Sequence, residues 1–89
     1  MRINWHSGSP KKQPSQGNRG KLAIHIGKRL HELRQRQQVS MRAVGDDVGM
    51  SGAMICQIEN GQSMPTAYTL WRLAKSFDVP VDWFFEGFE

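Results

Sequence analysis

The sequence predicts an all-α domain of five short helices. Three observations carry that reading. From Leu22 onward apolar residues recur at spacings of three and four, as the buried face of a helix requires, and no segment alternates with the period of two expected of a strand. Residues that cap or stop helices, among them Ser40, Gly49, Ser51, Thr66 and Pro80, divide the stretch into pieces of helical length. No internal repeat is present, so the 89 residues read as one small domain, near the lower end of what sustains its own core.

The chain changes texture at residue 21. Ser7 to Lys21 reads SGSPKKQPSQGNRGK, with two prolines, three glycines and no large apolar residue. Such a segment cannot bury enough surface to offset its ordering entropy, so residues 1–21 are expected to be a disordered tail and 22–89 the folded domain. Ile3 and Trp5 at the head of the tail are either exposed strays or a docking point for a partner. The first helix, about 23–37, places Ile26, Leu30 and Leu33 on one face and Lys28, Arg29, Gln35 and Arg36 on others. Ser40 caps a second helix, about 41–48, with Val44 and Val48 one turn apart and Gly49 as a left-handed stop. Ser51 caps a third, whose apolar positions are Met54, Ile55 and Ile58 and which ends before Asn60-Gly61. After the loop from Gln62 to Pro65, Thr66 opens a fourth helix carrying Leu70, Leu73, Ala74 and Phe77. Pro80 breaks it, and a short last helix follows over Val81 to Phe85.

The second and third helices, about 41–60 together, have the makings of a helix-turn-helix. Two short helices can cross steeply only where small residues occupy the crossing, which Gly45 and Gly49 supply. Val44, Val48, Met50, Ile55 and Ile58 point inward to hold the pair on the first and fourth helices. A random chain rarely places all seven together.

Charge narrows the partner. Residues 1–21 carry +5 with no acid, and residues 22–89 carry −1, so the formal +4 belongs to the tail. A basic tail on a compact domain suits a polyanion, or serves solubility alone. The single cysteine, Cys56, excludes an intrachain disulfide and a multi-cysteine metal site. No apolar run reaches the roughly 20 residues a membrane span needs, and Met1 to Ser9 lacks the apolar core of a secretory signal, so a cytoplasmic protein is expected. His25 and His31 are six apart, which does not align them as a helical metal pair. No Ser/His/Asp set, paired carboxylates or phosphate loop is evident, so neither catalysis nor a cofactor is expected.

Residues 24–87 resemble the phage-repressor/Cro (Xre-type) helix-turn-helix family of transcriptional regulators. The resemblance rests on IGKRLHELRQ, VGMSGAMICQIENG and LAKSFDVPVDWFFEG, and on the ungapped spacing of Gly45, Gly49, Ile55 and Ile58-Glu59-Asn60-Gly61. It implies a compact lambda-repressor-like domain that binds double-stranded DNA, with the third helix (about 51–59) in the major groove. Its outward positions would be Ser51, Gly52, Ala53, Cys56 and Gln57. The resemblance further implies phosphate contacts at the starts of helices two and three and in the 61–66 loop, at Met41, Arg42, Gln62, Ser63 and Thr66. It also implies an ion pair between Arg34 and Glu59. The family often has Gln where this chain has Met41, and the outward face of helix three holds no Arg or Lys. Gln57 alone could make a bidentate bond to adenine there. Asp46 and Asp47 would add repulsion if they faced the duplex. Lys11, Lys12, Arg19 and Lys21 could follow phosphates, or simply be solvated.

Trp83, Phe84, Phe85 and Phe88 exceed what so small a core can bury, and Trp83, Phe85 and Phe88 are the expected interface of a homodimer. Packing against a further domain is the alternative. Cys56 near a helix N-terminus suits either a redox switch or a small filler. The expected function is sequence-specific binding of double-stranded DNA as a bacterial transcriptional regulator, a repressor; the rivals are an antitoxin-like protein-interaction module or the DNA-targeting part of a larger regulator.

Overall fold

The computed structural model describes residues 14–89. Four α-helices and a terminal 3-10 helix follow one another: α1 Pro14–Gln37, α2 Met41–Val48, α3 Gly52–Glu59, α4 Ala67–Phe77 and the 3-10 segment Val81–Phe85. The described residues contain no strand, in keeping with the absence of any period-two pattern.

The start of α1 corrects the expected tail. The helix begins at Pro14, so residues 14–21 are helical rather than disordered. Residues 17–21 are exposed, and a Cβ on Gly17 or Gly20 would meet nothing, so packing does not hold this end. Propagation does: once the packed part has nucleated, each added residue gains a hydrogen bond for one pair of fixed dihedrals. Pro14, with its helical φ and missing N–H, suits the first turn. Ile3, Trp5, Lys11 and Lys12 lie outside the described residues.

The other boundaries follow their caps. Ser40, Ser51 and Thr66 accept hydrogen bonds on their side-chain oxygens from the amides of Ala43, Met54 and Thr69 at 3.0, 3.1 and 3.1 Å. Each such cap is worth about 1 kcal/mol. Gly49 ends α2 at φ 79°, and the amide of Met50 closes back on the Gly45 carbonyl at 2.8 Å. The last segment is a 3-10 helix because only five residues stand between Pro80 and the Glu86-Gly87 turn. Bonds over three residues, such as Trp83 N to Pro80 O at 3.0 Å, close within that length.

One core joins all five elements. Ile26, Leu30 and Leu33 of α1 meet Val44 and Val48 of α2, Ile55 and Ile58 of α3, Leu70, Leu73, Ala74 and Phe77 of α4, and Phe84. Phe84, Ile26, Leu30, Ile55, Ile58 and Leu73 are essentially inaccessible, each contributing about 1.5–3 kcal/mol of transfer free energy. Two close backbone approaches set how the helices cross. A Cβ on Gly45 would overlap the Met50 carbonyl, so α2 can lie directly against the turn into α3. A Cβ on Gly27 would sit 2.6 Å from the Glu59 carbonyl oxygen and overlap that of Ile58, so α1 rests on the last turn of α3.

Candidate nucleic-acid interface

With Ile55 and Ile58 buried, the face of α3 turned to solvent is made by Ser51, Ala53, Met54 and Gln57, all exposed. Ser51, Met54 and Gln57 follow at intervals of three, so they share one side of the helix. Met54 is the residue the sequence reading placed differently. It counted as an apolar helical position, yet its side chain is 46% exposed. Met50, expected to point inward, is half-buried against the cluster. In an eight-residue helix Ile55 and Ile58 already fill the core side, which leaves Met54 on the exposed flank.

Gly52 lies against the start of α2: a Cβ there would be 3.5 Å from Arg42 Cα and 3.8 Å from the Met41 carbonyl carbon, ordinary contact distances. The N-termini of α2 and α3 are therefore side by side. The cap oxygens of Ser40 and Ser51 occupy the third amide of each helix, Ala43 and Met54, and the first amides of each precede any intrahelical bond. Arg42 is exposed beside them, and Met41 is half-buried against the core.

Other expected contacts stand differently. Cys56 is half-buried, with Asn60 Nδ2 donating to its sulfur at 3.5 Å, so it occupies the flank of α3. The Gln62 amide is already spent on the Gln57 carbonyl at 2.9 Å, and that of Gly61 on Ile58 at 3.0 Å. A phosphate contact at Gln62 falls to its exposed side chain, not to its backbone. Thr66 is exposed while capping α4, Ser63 is half-buried, and Lys21 is exposed on α1. The acids of α2 turn elsewhere. Asp47 accepts from Ser76 Oγ on its carboxylate and from Arg72 Nη2 on its carbonyl at 2.7 Å, and with Asp46 it borders a cleft lined by α1, α2 and α4 but by nothing of α3.

Arg34 and Glu59 tie α1 to the end of α3. Arg34 Nε and Nη2 donate to the two Glu59 oxygens at 2.5 and 3.0 Å, and Nη1 donates to the Val39 carbonyl at 3.1 Å. His31 Nδ1 stands 3.0 Å from Glu59 Oε1. The Glu59 side chain is only 4% exposed. Burial pushes its carboxyl up, but the hydrogen bonds from Arg34 and His31 outweigh that and hold it below the ordinary glutamate range. The same hydrogen bond raises Arg34.

The helix-turn-helix family model HTH_3 matches residues 30–84. The chain belongs to this family. Among helix-turn-helix relatives, the Escherichia coli K12 transcriptional regulator SutR is 38% identical over 63 residues, 71% of this chain and 35% of SutR. The chain thus spans about a third of that relative's length. Two solved structures share the architecture. A Vibrio cholerae regulator of the same family matches with a TM-score of 0.70 and 34% identity, over 75% of this chain and 38% of that one. The P22 c2 repressor, crystallised with a synthetic operator, matches with a TM-score of 0.66 and 27% identity, over 70% of this chain and 94% of that one.

The three aromatic residues expected at a dimer interface differ in availability. Trp83 is half-buried, with the Arg29 guanidinium 3.5 Å above its ring and two Arg29 bonds, of 3.0 and 2.7 Å, on its carbonyl. Phe88 is half-buried and leans on the His25 ring at 5.5 Å. Phe85, with neighbouring Val81, is the apolar side chain left exposed there. Among the described residues no helix is long and apolar enough to cross a membrane, and no group of three His, Cys, Asp or Glu side chains could hold a metal.

Proposed function

We propose that this domain binds double-stranded DNA as a regulator of transcription, placing the N-terminal half of α3 in the major groove. The observation that carries the reading is the exposed row Ser51, Met54 and Gln57, with Ala53 beside it, set next to the paired N-termini of α2 and α3 in a helix-turn-helix family member. Free amides and helix dipoles at those N-termini favour phosphates, while side chains on the exposed row meet base edges. Gln57 fits adenine in a bidentate contact, and Ala53 and Met54 fit the thymine methyl. The P22 c2 repressor's complex with an operator supports the same mode here. Two copies joined through Phe85 and Val81 would present two such helices to a pseudo-palindrome, about 34 Å apart. The role is one of binding without catalysis, cofactor or metal, and belongs to the cytoplasm.

The test is selection of bound duplexes from a random pool with the wild-type chain and with Gln57→Ala. Wild type should enrich a symmetric motif, and Gln57→Ala should lose preference at one base pair per half-site. That loss should cost about 1–3 kcal/mol on the selected site. A pool left unenriched would overturn the reading. The lack of Arg or Lys on the exposed face of α3 favours one rival, a protein-interaction module on the same scaffold, and stoichiometric co-purification of a protein without duplex binding would establish it.

A further inference from the structure

The basic side chains of α1 sort by face. Arg29 and Arg36 are bound to acids: Arg29 to Glu32 and Glu86, and Arg36 to Glu32. Arg34 is committed to Glu59. Lys28 is exposed and enters no ion pair among the described residues. It follows Gly27, the point where α1 lies on the last turn of α3. From there it helps to line a cleft with His31, Met41, Glu59 and Asn60. That cleft brings three elements together: α1 through Lys28 and His31, the start of α2 through Met41, and the end of α3 through Glu59 and Asn60.

The cleft has the chemistry of an anion seat. The acid within it, Glu59, is already neutralised by the two-pronged contact with Arg34, so it does not cancel the charge of Lys28. His31 borders the same space but is occupied: its Nδ1 donates to Glu59 at 3.0 Å and its Nε2 faces the Gln35 amide nitrogen at 3.4 Å, so the free donor there is Lys28. Met41 links the cleft to the proposed reading face, since its backbone lies against Gly52 at the start of α3. A solvated lysine would serve solubility anywhere on the surface. This one projects beside the first turn of α2, where a duplex lying on α3 would carry a backbone strand.

We infer that Lys28 seats a DNA backbone phosphate in this cleft. The inference rests on the duplex-binding reading and adds to it a contact from α1. Such a contact fixes register on the duplex without reading bases, and partly makes good the missing cations on α3.

Because a phosphate contact is blind to sequence, the test needs no known operator. Binding to a mixed-sequence 40-base-pair duplex is followed by fluorescence anisotropy between 50 and 200 mM salt for wild type, Lys28→Ala and Lys75→Ala. Lys75 stands on α4 over the Trp71 ring, and its removal deletes an equal charge away from the cleft. Lys28→Ala should reduce the slope of log affinity against log salt by about 0.9. It should also weaken binding about two- to fivefold at 0.1 M salt. Lys75→Ala should keep the wild-type slope. A Lys28→Ala slope equal to that of wild type or Lys75→Ala, with duplex binding retained, overturns the inference and leaves the parent reading standing. No duplex binding by wild type overturns both. Lys28 is exposed and makes no side-chain bond among the described residues, so its variant should melt as wild type does, which confirms that a changed slope reports binding.

Discussion

Replacing Arg34 by methionine should destabilise the domain by about 3 kcal/mol. The substitution keeps the aliphatic stem and removes the guanidinium, leaving the Glu59 carboxylate 4% exposed with His31 as its remaining partner. Breaking a buried pair from one side costs about 3–5 kcal/mol. The lower end applies because His31 is itself half-exposed and can bring water to one oxygen. A domain of this size has in total about 4–11 kcal/mol. A loss of 3 should therefore lower Tm by about 12–24 °C, at 4–8 °C per kcal/mol. Removing both charges in Arg34→Met/Glu59→Leu leaves no stranded carboxylate and should recover most of the loss, a coupling of about 2–3 kcal/mol in a double-mutant cycle. Acid titration gives an independent readout. The Glu59 carboxyl is buried, which raises it, yet the bonds from Arg34 and His31 bring it below its unfolded value, so the pair's stabilisation is present in full above about pH 4.3. It is lost as pH falls further, through the folded value, and the wild type should lose stability in that window faster than the double variant. Chemical denaturation of all four proteins at pH 7 and pH 3 tests both claims. A single-variant loss below 1 kcal/mol, or additive single and double variants, would refute the argument.

Two further outcomes follow from the packing. Gly27→Ala should destabilise by about 1–3 kcal/mol despite the roughly 1 kcal/mol that alanine gains over glycine in a helix. Its Cβ would overlap the Ile58 carbonyl and force α1 off α3. Thermal melts measure this, and a stabilised variant would show that α1 can shift without cost. Phe85→Glu should reduce self-association in sedimentation velocity without lowering Tm, because Phe85 is exposed. A dimer surviving the substitution would place the interface elsewhere.

Much of the fold was legible because its boundaries are chemical. Ser40, Gly49, Ser51, Thr66 and Pro80 each stop or start a helix for a local reason, and the structure places helix ends within a residue or so of them. The exceptions are instructive. The start of α1 was missed because composition reports the cost of ordering a free segment and not the small cost of extending a helix already formed. Gly27 was missed because its role is tertiary: nothing nearby in the sequence says that a carbonyl from residue 58 will lie against residue 27. Met54 needed a decision about which side of a short helix faces the core, and the burial of Ile55 and Ile58 settles it. Whether Asp46 and Asp47 would face a duplex was open in the sequence, and Ser76 and Arg72 draw Asp47 toward α4. In each case the missing information was a neighbour distant in sequence.

The sparse reading face has an energetic consequence for the proposed function. One bidentate glutamine contact supplies about 1–3 kcal/mol, so a dimer gains about 2–6 kcal/mol from its two copies. That corresponds to a specificity ratio of about 10^1.5 to 10^4.5, at the lower end for regulators of this kind. Non-specific binding, by contrast, needs only positive charge and free amides, which α1 and the paired N-termini of α2 and α3 offer whatever the sequence. A single domain would therefore discriminate poorly between its site and bulk DNA. Doubling the half-sites multiplies the discrimination while the weak contact at each stays the same, so in the proposed dimer the surface around Phe85 would matter to specificity as much as Gln57. The two lie on different parts of the domain, and loss of either should relax selection of the operator.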